Sequence, residues 1–159
     1  MTDARARPLE DYGFRRVFPT RWNDNDQYGH VNNVVYYAAM DTTINAWLLG
    51  VAGLDPLEGE AAALCVASSC EYHRSVSYPD DMELGLAAAR VGTSSVTWSI
   101  GIFRRGEPSA IATGTFTHVF VDRVTRRPVP IPPSIRTQIE HQLLLVDSTQ
   151  PGNAAATER

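Results

Sequence analysis

Ten residues, Asp24 to Asn33, read DNDQYGHVNN and stand immediately ahead of a run with helical spacing. They crowd two carboxylates, a glycine, a histidine and four amides into one short loop. The first N–H groups of a helix have no partner inside it, so they favour an anion or a carbonyl oxygen gaining negative charge. A helix that starts at Asn33 places that donor here, with Asn32 just before it. Gly29 lets the chain take a positive φ or approach a ligand closely. Asp24 and Asp26 bring carboxylates to the same place. Hydrolysis of an activated acyl group requires this combination: the acid serves as general base or nucleophile, and the backbone N–H polarises the carbonyl. Each residue also has a plainer use. Either aspartate caps a loop, His30 bonds the backbone, and Asn32 and Asn33 make a cap and a turn.

Other chemistries find less support. No G-x-S-x-G elbow, glycine-rich phosphate loop or G-x-G-x-x-G turn occurs. His30, His73, His118 and His141 show no metal-ligand spacing, and Cys65 and Cys70 form no zinc motif, so no metal site is expected. The odd spacing of the two cysteines in a strand predicts side chains on opposite faces, hence two buried free thiols and a reducing compartment. A formal net charge of -4 offers no bulk attraction to nucleic acid or to an anionic membrane. There is neither a secretory signal nor an apolar run of spanning length, so a cytoplasmic protein is expected.

The elements that must position the loop follow from periodicity. At 159 residues, 43% hydrophobic and 20% charged, the chain suits one soluble domain. That domain is expected over 12–146, with flexible tails over 1–11 and 147–159. GFRRVFPTRW reads as a first strand, with Phe14, Phe18 and Trp22 on one face. Val34, Tyr37, Ala38, Asp41, Ile44, Asn45 and Leu48 recur at helical steps and predict a long helix ending near Gly50. Four strands follow, within 62–76, 81–92, 94–105 and 109–122. A short helix then carries Ile135, Ile139 and Leu143 after a proline start. One long helix followed by an antiparallel meander predicts an α+β fold, a sheet of about five strands wrapped around the helix.

DNDQYGHVNNVVYYAAMD resembles the opening of the hotdog-fold thioesterases, specifically the 4-hydroxybenzoyl-CoA thioesterase-like group. HVNNVVYY is similar to the corresponding stretch of the plant acyl-ACP thioesterases, which share the fold. A-x-G, HVFVD and TRRP in the last strand and turn resemble the same group, so the likeness runs from about Phe14 to Leu145. The resemblance implies hydrolysis of acyl-CoA, or of an acyl-carrier-protein thioester, with no cofactor beyond the coenzyme A of the substrate. It places the catalytic aspartate at Asp26, with Gly29 in the same motif, and the oxyanion-binding N–H at Asn33. Asp24, Tyr28, His30, Asn32 and Tyr36 fall where they would line the substrate. A second branch carries its carboxylate inside the helix, where only Asp41 stands here. The resemblance also implies a homodimer or homotetramer with sites between subunits, and CoA phosphates near Arg104, Arg105, Arg123, Arg126 and Arg127. Two alternatives stay open: an enoyl-thioester hydratase or dehydratase using His30, and a non-catalytic acyl-CoA binding module.

Overall fold

The computed structural model describes residues 7–145. Chain order is β1 (Phe14–Pro19), α1 (Asn33–Gly50), β2 (Ala61–Tyr72), β3 (Asp81–Val91), β4 (Ser95–Arg104), β5 (Ala110–Asp122) and α2 (Pro133–Gln142). The five strands form one antiparallel sheet, ordered β1-β3-β4-β5-β2, around α1. The expected α+β architecture is therefore present. Its meander covers only β3 to β5. β2 lies at the far edge against β5, because residues 73–80 carry the chain across the end of the sheet to β3.

α1 seats by packing large side chains against the sheet. Met40, Ile44, Trp47 and Leu48 are fully buried in one cluster with Trp98, Ile100 and Phe120. Trp47 meets Trp98 edge-on at 6.0 Å. Gly114 on β5 makes the approach possible, since a Cβ there would drive into the Met40 sulfur and lie 2.8 Å from the Ser69 carbonyl oxygen. The buried stripe is Tyr36, Ala39, Met40, Thr43, Ile44, Trp47 and Leu48. The expected stripe shares only Ile44 and Leu48 with it; Val34, Ala38 and Asp41 face outward. Apolar or small residues occupy nearly every side of α1, so spacing alone does not select the buried face.

The cysteine expectation also changes. β2 pairs Cys65 with His118 and Cys70 with Gly114, with the register slipping between Cys65 and Ala67. That bulge absorbs one residue, so both thiols point to the helix side instead of opposite sides. Cys65 is exposed and Cys70 half-buried. Five residues of strand still separate them by about 15 Å, beyond disulfide reach.

Part of the expected N-terminal tail is folded. Leu9–Asp11 form a 3-10 turn, and Tyr12 is buried with Phe103, Ala87 and Ala110 in a second cluster on the sheet's outer side. The Tyr12 ring lies over Gly85 and Gly101; a Cβ at Gly101 would sit 2.6 Å from its hydroxyl. That hydroxyl has no hydrogen-bond partner among the described residues, and burial pushes the phenol up to about 12. The outermost expected tails, 1–6 and 147–159, lie outside the described residues.

His118 is buried on the helix side of β5, its Nδ1 accepting the Trp98 indole N–H at 2.9 Å. Burial holds its imidazole below the ordinary value of 6.5, outweighing an opposing pull from Asp41. The unfolded chain therefore takes up the proton first, so stability is full above pH 6.5 and is lost as pH falls through the lowered folded value. Urea midpoints measured between pH 7.5 and about 5 are expected to fall in wild type and to flatten in His118→Gln.

Candidate active site

Residues 25–31 close into a small hairpin. Asn25 and Val31 form an isolated antiparallel bridge, and the Asp26 N–H donates to the His30 carbonyl at 3.0 Å. Its tip is the Asp26–Gly29 turn, where the Gly29 N–H donates to the Asp26 carbonyl at 3.0 Å. Gly29 has φ +82°, and nothing lies within 4 Å of where its Cβ would be. The glycine serves the turn's left-handed geometry, and close approach is not what demands it.

The two aspartates have opposite fates. The Asp24 carboxylate is buried and fully engaged: Oδ2 accepts the Arg21 N–H at 2.7 Å, and Oδ1 accepts Arg21 Nη2 at 2.9 Å. Its carbonyl takes the Asn32 N–H at 2.8 Å, tying the loop's start to the helix cap. Asp24 thus holds the loop and does not face the cleft, contrary to its expected place beside the substrate. Asp26 is turned outward and half-buried. Its Oδ1 accepts the Tyr28 N–H at 2.9 Å, and Oδ2 has no partner among the described residues.

The helix end is divided between two amides. Asn32 is the N-cap, its Oδ1 accepting the Val34 N–H at 3.0 Å. The Asn33 N–H has no acceptor among the described residues, so it remains available at the positive end of α1. Tyr72 at the end of β2 donates its hydroxyl to the Asn33 carbonyl at 3.0 Å. It also packs edge-on against Tyr36 at 5.0 Å. Burial raises both phenols and the neighbouring Cys70 thiol, so this wall stays uncharged near neutral pH. A cleft of about 310 Å³ opens between Val31, Asn33, Tyr36, Tyr72 and His73.

Tyr28 and His30 are exposed at the rim, and the His30 ring bonds to no described residue. Asp41 lies on the outer side of α1, where Asn45 Nδ2 donates to it at 3.2 Å. The five arginines expected near phosphates are split. β5 pairs Ala112 with Tyr72 and Asp122 with Ala61, so Arg123, Arg126 and Arg127 stand at the opposite end of the sheet from Asn33. Arg104 and Arg105 share the loop's end but are engaged by Asp80 at 3.1 Å and Asp81 at 3.4 Å. Among the described residues no three His, Cys, Asp or Glu side chains gather as a metal site.

Residues 20–139 match the thioesterase-like superfamily. The chain belongs to that superfamily. Its fold is the hotdog fold of those enzymes, and it is a thioester hydrolase. The PA5185 protein of Pseudomonas aeruginosa PAO1 is 45% identical, with a TM-score of 0.82 over 86% of this chain and 95% of that one. The PA2801 protein of Pseudomonas aeruginosa is 29% identical, at 0.74 over 84% and 99%. A Thermus thermophilus thioesterase, solved with coenzyme A and zinc, is 25% identical, at 0.71 over 84% and 97%. No curated protein matches. Among the described residues of this thioesterase, no helix is long and apolar enough to cross a membrane.

Sequence reasoning overlooked the 73–80 connection, which contacts the catalytic-loop candidate from across the sheet end. Only the turn signal in SYPDD marked it, with nothing to say what it touches. The local signals were stronger, and the cap is directly testable. Asn32→Ala removes the one side-chain cap on α1 among the described residues and is expected to cost about 1 kcal/mol in urea denaturation, with the slope unchanged.

Proposed function

We propose that the protein hydrolyses acyl-CoA thioesters to free acid and coenzyme A at the junction of the Asp26 turn and the start of α1. One observation carries this reading: an unengaged carboxylate oxygen at Asp26 and an unengaged N–H at Asn33 border the same short hairpin–helix junction. The thioester carbonyl oxygen takes the Asn33 N–H, which stabilises the charge that develops as the carbon becomes tetrahedral. A donor of this kind contributes about 3 kcal/mol. Asp26 Oδ2 either attacks the carbonyl carbon, giving an anhydride that water then opens, or takes a proton from the attacking water. The thiolate leaves in both routes. Carboxylate, water and backbone amide complete the chemistry, so no cofactor is required. The relative solved with coenzyme A supports that carrier, and Tyr36 and Tyr72 offer an uncharged wall to the acyl group.

Thiol release from a panel of acyl-CoA esters tests this reading. Asp26→Asn is expected to lower turnover by at least about a hundredfold. Equal rates in variant and wild type would remove Asp26 from the chemistry.

A second copy of the chain completes the enzyme. β2 is an edge of 12 residues that, among the described residues, pairs only with β5, and it exposes Leu64, Val66 and Tyr72. So long and apolar an edge is a template for another strand. Antiparallel pairing of β2 with its counterpart extends the sheet across both copies and brings the partner's strand beside the Tyr72 wall. Val66→Asp is expected to convert dimer to monomer by light scattering and to reduce thiol release with it. A dimer unchanged in mass would place the interface elsewhere.

A further inference from the structure

The 73–80 connection grips the 20–31 loop along its length. Its Val76 carbonyl accepts the Val31 N–H at 2.8 Å, and Val76 itself is buried in the core. Ser77 Oγ donates to the Gly29 carbonyl. The Tyr78 N–H donates to Asn25 Oδ1 at 3.1 Å, and its ring meets Trp22 edge-on at 6.0 Å. The Asp80 carbonyl accepts Thr20 Oγ1 at 2.6 Å. These contacts hold the loop's two ends and both legs of the hairpin.

The tip is different. Gln27, Tyr28, Gly29 and His30 are all exposed, so packing does not fix them. Gly29 has no side chain to restrain its torsions, and its surroundings are open. Among the described residues, the Ser77 hydroxyl is the one side chain from outside the loop that bonds to this tip. It holds the peptide that joins Gly29 to His30. On the other side of that peptide, the His30 carbonyl takes the Asp26 N–H, and the Gly29 N–H closes the turn on the Asp26 carbonyl. A swing of the Gly29 carbonyl would therefore redirect both bonds that set the Asp26 backbone.

We infer that Ser77 is a positioning residue for thioester hydrolysis: by holding the Gly29 carbonyl it fixes the turn that aims the Asp26 carboxylate. This rests on Asp26 being the reacting carboxylate. Ser77 touches no reacting atom, and its effect falls on orientation. Turnover should therefore change while substrate affinity and global stability do not.

The test compares full-length wild type, Ser77→Ala, Ser77→Thr and Asp26→Asn. Thiol release from the acyl-CoA panel, thermal melting and amide hydrogen exchange at Tyr28 and Gly29 are measured on each. Loss of one hydrogen bond in Ser77→Ala is expected to lower kcat on the order of tenfold and to speed exchange at both amides by a similar factor. KM and Tm should stay near wild type, and Ser77→Thr, which keeps the hydroxyl, should recover turnover. The inference is overturned if Ser77→Ala leaves exchange at both amides unchanged, or leaves kcat unchanged while Asp26→Asn is inactive. A fall in kcat and Tm together that threonine does not recover also overturns it. If Asp26→Asn hydrolyses like wild type, the Asp26 reading falls instead, and exchange alone decides whether Ser77 tethers the turn.

Discussion

The seating of α1 on the sheet governs the rest of the molecule. Gly114 leaves room for Met40, Trp47 comes down against Trp98, and the helix cannot slide without opening a void in that cluster. Its axial position decides where the first turn emerges relative to the ends of β2 and β5. Tyr72 reads out that position by bonding the Asn33 carbonyl. The amide proposed to bind the thioester oxygen must face a cleft with no acceptor of its own. The chain achieves this by giving the Val34 N–H to the Asn32 side chain and leaving the Asn33 N–H unclaimed. Helix packing and the placement of the free Asn33 N–H are thus parts of one constraint.

The loop ahead of the helix solves an electrostatic problem by separation. Two carboxylates two residues apart, both facing one cleft, would repel each other and any anionic substrate. Here Asp24 is drawn into the protein and matched by Arg21, while Asp26 alone turns outward. The arginines at the same end of the sheet are matched too, by Asp80, Asp81 and Glu107. This end of the sheet therefore turns one unmatched carboxylate outward, beside a cleft whose own polar lining is the helix end, His73, Arg74 and Ser75.

Much of this was legible in the residues because it is local. The start of α1 at Asn33 and its end at Gly50 follow from a cap and a glycine, and β3, β4 and β5 match their expected windows to within a residue, whereas β1 stops at Pro19 and β2 at Tyr72, three and four residues short of theirs. The Asp26–Gly29–Asn33 arrangement spans one turn and one cap, so order along the chain reflects order in space. Three features were not legible. The buried face of α1 was misassigned because few of its positions are polar enough to mark the solvent side. The bulge at Val66 carries no glycine or proline to announce it, yet it inverts the face of every later residue on β2. The Ser77–Gly29 bond joins residues 48 apart and depends on where the crossing connection falls, which follows from the position of β2 at the far edge.

The Tyr12 ring, laid over Gly85 and Gly101 on the sheet's outer side, ties three distant positions into one unit of inheritance. Alanine at either glycine would meet the ring, and loss of the ring would uncover two bare stretches of neighbouring strands. No single step among the three is neutral. A lineage leaving this arrangement must change the tyrosine before it can enlarge a glycine, and one returning must shrink the strand residues first. The order of substitution in this fold is therefore directional, set by the volume of one aromatic side chain far from the proposed chemistry.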